Sequence, residues 1–241
     1  RISSRGKGGS GSIGDRCFSK IPSAVSSPAV SIVVPIYNEF DNLTALVDRI
    51  DAAMRAQPLS YELIAVDDGS KDDSARLLLE LASTRPWLRP VVLARNYGQS
   101  SALQAGFDRV QGKYVVTLDA DLQNEPDDIP LLLNRLETDA SVDMVSGWRK
   151  DRQDAAISRK LPSKIANRLI SNATGVQLHD YGCALKAYRR HIIDRIHLYG
   201  ELHRFIPSLA RDAGARITEV PVRHHARTAG VSKYGIDRTF R

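Results

Sequence analysis

Residues 113–126 read KYVVTLDADLQNEP. Tyr114 to Leu118 is a short apolar run with β-branched residues, the pattern of a strand buried on both faces. Asp119, Ala120 and Asp121 follow at once, and period-two alternation sends both carboxylates to the same side. Two acids so close repel each other unless a cation lies between them. Hard oxygen ligands suit Mg2+ or Mn2+, which would share its remaining positions with a diphosphate. Gln123 adds an amide oxygen two residues on, and Pro126 opens a helix as a favoured first-turn residue. Taken alone, an acid-x-acid triplet reads equally well as a surface turn. Its place at the carboxyl end of a strand turns it into a metal-site candidate.

The same pattern recurs on either side. AVSIVVPIY (29–37), YELIAVDD (61–68), RPVVLAR (89–95) and VDMVSGW (142–148) read as further strands. Between them lie helical spacings: Leu43, Leu46, Val47 and Ile50 behind an Asn38 cap, Leu77, Leu78 and Leu81 within Ser70–Ser83, and a stretch from about Ser100 to Val110. Strands alternating with helices predict an α/β fold, a mainly parallel central sheet flanked by helices and wound right-handedly. Ligands of such sheets bind beyond the carboxyl ends of the strands. Polar residues collect there: Tyr37-Asn38-Glu39, Asp67-Asp68, Arg95-Asn96, the Asp119/Asp121 pair and Arg149. Further on, an amphipathic basic helix is expected over 157–174, a short strand near Ala184–Tyr188, helices near 191–196 and 202–212, and a strand over 215–222.

With 241 residues and 42% hydrophobic content, the chain can bury one substantial core. Residues 1–28, rich in Gly, Ser and basic groups, read as a disordered tail, leaving 29–241 as the folded domain. Two cysteines are too few for a disulfide framework, which points to a reducing compartment. No apolar run reaches 18 residues, and the opening stretch lacks the apolar region of a signal peptide. Charge is divided unevenly. Residues 1–148 hold 15 Lys and Arg against 20 Asp and Glu, whereas 149–241 hold 19 against 8. The second half therefore suits an anionic partner such as phosphate or an acidic membrane. It lacks a nucleic-acid module with interleaved aromatics, so no nucleic acid is expected.

Two weaker signals join the first. In VDDGS (66–70), Asp67 or Asp68 could accept hydrogen bonds from a base or ribose, with Gly69 permitting the sharp turn. In PIYNE (35–39), Pro35 ends a strand, and Tyr37 and Glu39 project where a nucleobase could stack and bond. With VVPIYNE, VDDGS and LDADLQ in this order, each at a strand end, the chain resembles the inverting family-2 glycosyltransferases of GT-A (Rossmann-like) fold. The likeness is to their polyprenyl-phosphate branch: dolichyl-phosphate mannose synthases, bactoprenol glucosyltransferases and undecaprenyl-phosphate aminoarabinose transferases. DYGCALKAYRRHIID (180–194) and RTAGVSKYG (227–235) look most like the last group.

The resemblance implies a metal-dependent transfer of sugar from a nucleoside diphosphate, UDP favoured over GDP-mannose, to a polyprenyl phosphate. It implies donor contacts from Pro35, Tyr37, Glu39, Asp67 and Asp119, and a Mg2+ or Mn2+ ion on Asp119, Asp121 and Gln123. Arg227, Ser232 and Lys233 match the segment that closes over the diphosphate, a lid hinged at Gly230 and Gly235. Arg149, with Arg159 and Ser163 one helical turn apart, resembles the acceptor-phosphate site. Asp180 falls roughly where relatives acting on hydroxyls keep their base. A phosphate acceptor needs no strong base, since its second pKa is about 6. Here Asp180 is expected to contact the donor sugar or position the acceptor. The two halves, 29–148 for donor and metal and 149–241 for acceptor and membrane, would work at the cytoplasmic face of a membrane. A membrane-anchoring partner, a transmembrane segment after Arg241 and a homo-oligomer are all compatible with this reading. Rival readings are a hydroxyl-directed polysaccharide transferase, which would carry a Q-x-x-R-W segment; a nucleotidyltransferase, which would carry a glycine-rich loop after the first strand; and a non-catalytic nucleotide-sugar sensor.

Overall fold

The computed structural model describes residues 27–150 and 175–225. Seven strands form one sheet: β1 Val30–Ile36, β2 Tyr61–Asp67, β3 Leu88–Val92, β4 Tyr114–Thr117, β5 Met144–Trp148, β6 Lys186–Arg189 and β7 Ile217–Pro221. Their order is β3-β2-β1-β4-β6-β5-β7. β6 pairs antiparallel with both β4 and β5, and every other pairing is parallel. A single reversed strand therefore joins the parallel set β3-β2-β1-β4 to the parallel pair β5 and β7.

Strand alternation distributes the core between two layers. Ile32, Val34 and Ile36 of β1 pack against Leu43, Leu46, Val47 and Ile50 of helix α1, Phe40–Arg55, with α2, Ser74–Ser83, and α4, Ile129–Thr138, on the same side. Val33, Ile64 and Val66 face the opposite way, onto α3, Gln99–Phe107, and the short helices α5, Arg190–Ile193, and α6, Ile206–Asp212. Burial on both faces explains why these strands read as continuous apolar runs.

Three local expectations need correction. Asn38 does not cap α1. It adopts a left-handed φ of 52°, Glu39 takes the N-cap position, and the Asn38 amide oxygen instead accepts from Lys71 N–H at 2.7 Å. Helix α2 begins at Ser74 and not Ser70, and the stretch between ties the β2 rim to the β1 rim at both its ends: Ser70 Oγ accepts from Asn38 N–H at 2.9 Å, and Ser74 Oγ from Glu39 N–H at 3.0 Å. Pro126 opens a 3-10 turn, Pro126–Asp128, before α4 starts.

Candidate active site

The β1 and β2 ends lie side by side in parallel register, Pro35 opposite Val66 and Ile36 opposite Asp67. The structure separates the roles of Asp67 and Asp68. Both oxygens of Asp68 accept backbone N–H groups, from Tyr97 and Gly98, each at 2.8 Å. Asp68 thereby holds the loop between β3 and α3. Asp67 is fully buried, and its Oδ1 accepts from Ser70 N–H at 2.9 Å, while Oδ2 has no hydrogen-bond partner among the described residues. A buried carboxylate oxygen without a donor is costly. It marks Asp67, not Asp68, as the acid with bonding capacity left for a ligand.

Gly69 makes this juxtaposition feasible. Its φ is +65°, and an added Cβ would lie 2.3 Å from the Arg95 carbonyl carbon and 2.5 Å from the Arg95 Cα. These are backbone atoms that cannot swing aside. Gly69→Ala is expected to destabilise the fold by about 2–4 kcal/mol, from the left-handed cost plus the overlap. Urea denaturation measures it; a loss under about 1 kcal/mol would mean that the two loops part without cost.

Strand β4 ends at Thr117, so Asp119 and Asp121 sit just past the ladder and not within it. Leu122, between Asp121 and Gln123, carries a φ of 57°, unusual for a bulky residue and a turn that redirects the chain at this rim. The two carboxylates are electrostatically coupled. Burial and then the charge of Asp121 push the Asp119 carboxyl up to about 6, against the cations of Lys186 and Arg149; Glu39 adds a further upward push. The β1 rim and the β4 rim thus share one electrostatic neighbourhood. Gln99 Nε2, at the start of α3, donates to Asp119 Oδ1 at 2.8 Å. Gln123 has its backbone carbonyl bonded by His225 N–H at 2.9 Å, and its amide lies 3.5 Å from the His225 carbonyl. Among the described residues no group of three or more His, Cys, Asp or Glu side chains is placed to hold a metal ion. Two carboxylates at a rim suit a cation that completes its shell with substrate oxygens.

Arg149 and Asp180 were expected in separate roles, and the fold makes them partners. Arg149 Nε donates to Asp180 Oδ2 at 2.6 Å and Nη2 to Oδ1 at 2.9 Å, with both side chains about one-tenth exposed. Burial raises the Asp180 carboxyl, but the Arg149 guanidinium and the charge of Lys186 outweigh it and hold the group below the usual carboxylate range. Beside them, His179 stacks on Trp148 at 4.3 Å and pairs with Glu219. Arg159, Ser163, Arg227, Ser232 and Lys233, as well as the expected helix over 157–174, lie outside the described residues. The segment that leads to Arg227 is anchored at this rim: Asn124 bridges His224, His225 Nε2 meets Glu125 at 2.8 Å, and Arg223 grips Asp128 at 2.8 and 2.9 Å.

Sequence reasoning passed over Gln99 and Lys186. Lys186 is buried at 4% exposure on the central strand β6. A lone charge inside the apolar run ALKAY was the signal that could have found it.

The model of the glycosyl transferase family 2 matches residues 31–196, and the chain belongs to that family. It is 49% identical over 226 residues to a dodecaprenyl-phosphate galacturonate synthase of Rhizobium johnstonii, covering 90% of this chain and 65% of that protein. It is also 49% identical over 210 residues to an undecaprenyl-phosphate 4-deoxy-4-formamido-L-arabinose transferase of Klebsiella pneumoniae, covering 87% and 63%. The chain thus spans just under two thirds of the length of these relatives. Among solved structures, glucosyl-3-phosphoglycerate synthase from Mycobacterium tuberculosis, in complex with Mn2+, UDP and phosphoglyceric acid, superposes with a TM-score of 0.62 at 21% identity over 83% of this chain and 72% of that one. Mannosyl-3-phosphoglycerate synthase from Rubrobacter xylanophilus gives 0.65 at 17% identity over 83% and 68%. The fold is therefore the GT-A fold of these glycosyltransferases.

Proposed function

We propose that this chain is the catalytic domain of an inverting glycosyltransferase that moves a sugar from a nucleoside diphosphate, UDP favoured, to a polyprenyl phosphate at the cytoplasmic face of a membrane. The observation that carries the reading is the coupled pair Asp119 and Asp121 at one rim of the sheet, in the electrostatic reach of Arg149 and Lys186. Acids for a cation and cations for phosphates stand together there. The two relatives named for polyprenyl phosphates, at 49% identity, support the acceptor. Among the described residues no helix is long and apolar enough to cross a membrane.

Asp119 and Asp121 would hold Mn2+ or Mg2+, with Gln123 beside them; a neighbour of the same fold was crystallised with Mn2+ and UDP. Such an ion would neutralise charge on the departing diphosphate. Asp67 would accept from the nucleoside through its unspent oxygen, flanked by Pro35, Tyr37 and Glu39. Arg149 would bind the acceptor phosphate with Asp180 fixing its orientation, and Arg159 and Ser163 would extend that site. Arg227, Ser232 and Lys233 would close over the diphosphate.

A pH dependence follows. Proton and cation compete for Asp119, whose carboxyl is held at about 6 without metal. Mn2+ affinity is expected to be nearly level above pH 7 and to fall by up to about tenfold per unit below pH 6. Calorimetric titration with Mn2+ between pH 5 and 8 checks this, and an affinity that does not change over that range would remove Asp119 from the ligand set. Function itself is tested with a panel of UDP- and GDP-sugars, Mn2+ or Mg2+, and polyprenyl phosphate in detergent, reading organic-extractable labelled sugar. Labelling of free saccharides in place of the lipid would overturn the acceptor.

A further inference from the structure

Lys186 is the first residue of β6, the one reversed strand, and lies at the carboxyl end of β4. Antiparallel pairing sets it directly across from Thr117 of β4 and Ser146 of β5, so three polar side chains form a stripe across the buried centre of the sheet. Core lysines are rare, because an ammonium removed from water must recover its hydration elsewhere. The groups that Lys186 Nζ bonds are backbone carbonyls: that of Cys183, and that of Tyr181 at 3.5 Å. Both belong to the turn that presents Asp180. The same turn is fastened from its other end, where Gly182 N–H and the Arg149 guanidinium bond Asp180 Oδ1 at 3.1 and 2.9 Å. Gly182 leaves Arg149 little room: an added Cβ would sit 3.2 Å from Arg149 Nη2. The carboxylates of Asp180 and Asp119 reach Lys186 through space, as does the Arg149 guanidinium.

We infer that Lys186 is a positioning residue of this site: its ammonium grips the Asp180–Cys183 turn and so aims the Asp180–Arg149 pair beside Asp119. A methionine or leucine would fill the same volume in the core at lower cost. The chain keeps a cation there instead, where it bonds the carbonyls of Tyr181 and Cys183 and can offset the charge of two nearby acids. Burial lowers the Lys186 pKa, with Arg149 acting in the same direction, while the charges of Cys183, Asp180 and Asp119 work against that loss.

The inference rests on the transferase reading for its kinetic test, so a structural test accompanies it. Lys186→Met removes charge and donors at similar volume, Lys186→Gln keeps amide N–H donors without charge, and Lys186→Arg keeps both charge and donors. In the transfer assay, Lys186→Met is expected to lower kcat by at least about thirtyfold, the scale of an ångström-sized misplacement. The KM for the sugar donor should stay within about threefold, and Lys186→Arg should recover most of the loss. Crystal structures of the variants should show the 180–183 turn displaced and the two-pronged Arg149–Asp180 bond broken in Lys186→Met but kept in Lys186→Arg. If Lys186→Met does not fold, Lys186→Gln is read in its place. An undisplaced turn with the pair intact in the neutral variant overturns the inference, as does an arginine variant as impaired as the methionine one. Should the wild-type protein transfer no sugar at all, the proposed function falls while the crystallographic comparison still decides the role of Lys186.

Discussion

Asp121→Ala is expected to reduce sugar transfer by at least about a thousandfold while leaving the protein folded. Removing one preorganised electrostatic group from a reaction centre typically costs 10²–10³ in rate, and loss of a metal ligand also removes the ion's charge. Asp121 is buried, with Oδ1 bonded by Gln123 N–H at 3.2 Å, a local hydrogen bond that the substitution removes. Against that stands relief of repulsion, because the Asp121 charge is the second largest cause of the raised Asp119 carboxyl. The melting temperature should therefore hold to within a few degrees, and the Asp119 carboxyl should move back toward its ordinary range. Steady-state transfer, thermal melting and an NMR titration of the carboxyls check the three parts. Turnover within about tenfold of wild type would defeat the metal assignment and with it the proposed mechanism.

The second large effect is expected at Arg149. Its bond to Asp180 is buried on both sides, and a buried pair broken by removing one partner leaves an uncompensated charge. Arg149→Met should destabilise the fold by about 3–5 kcal/mol and lower the melting temperature by roughly 10 °C. The double variant Arg149→Met with Asp180→Leu should regain most of that stability, since an apolar pair of similar volume replaces a buried ion pair at little net cost. Transfer should stay lost in both, because the proposed phosphate-binding guanidinium is absent from each. Denaturation and transfer assays on the single and double variants separate the two roles. A double variant that recovers transfer together with stability would make the pair a structural device and move the acceptor phosphate elsewhere.

Much of the rim formed by β1, β2 and β4 was legible in the chain, for a local reason. Residues 30–36, 61–67 and 114–117 form strands buried on both faces, and such strands must be written as apolar, β-branched runs. The acids that follow them then fall at the rim by covalent continuity. Boundaries were less legible where side chains from another segment intervened. Asn38 looked like a cap because it precedes an amphipathic helix, but its amide is used by Lys71, 33 residues away. Asp67 and Asp68 were equivalent as letters; only the approach of Tyr97 and Gly98 showed which of them was already satisfied.

The sequence by itself determined the alternating α/β pattern, the acids that would end beside the strands and the placement of positive charge in the second half, because burial period and strand end are local properties. Tertiary structure alone decided that β6 runs backward between β4 and β5, that Arg149 closes on Asp180 across 31 residues, and that the buried Lys186 shares their electrostatic neighbourhood. Those arrangements depend on hydrogen bonds and charges from segments far apart in the chain, whose meeting no local pattern encodes.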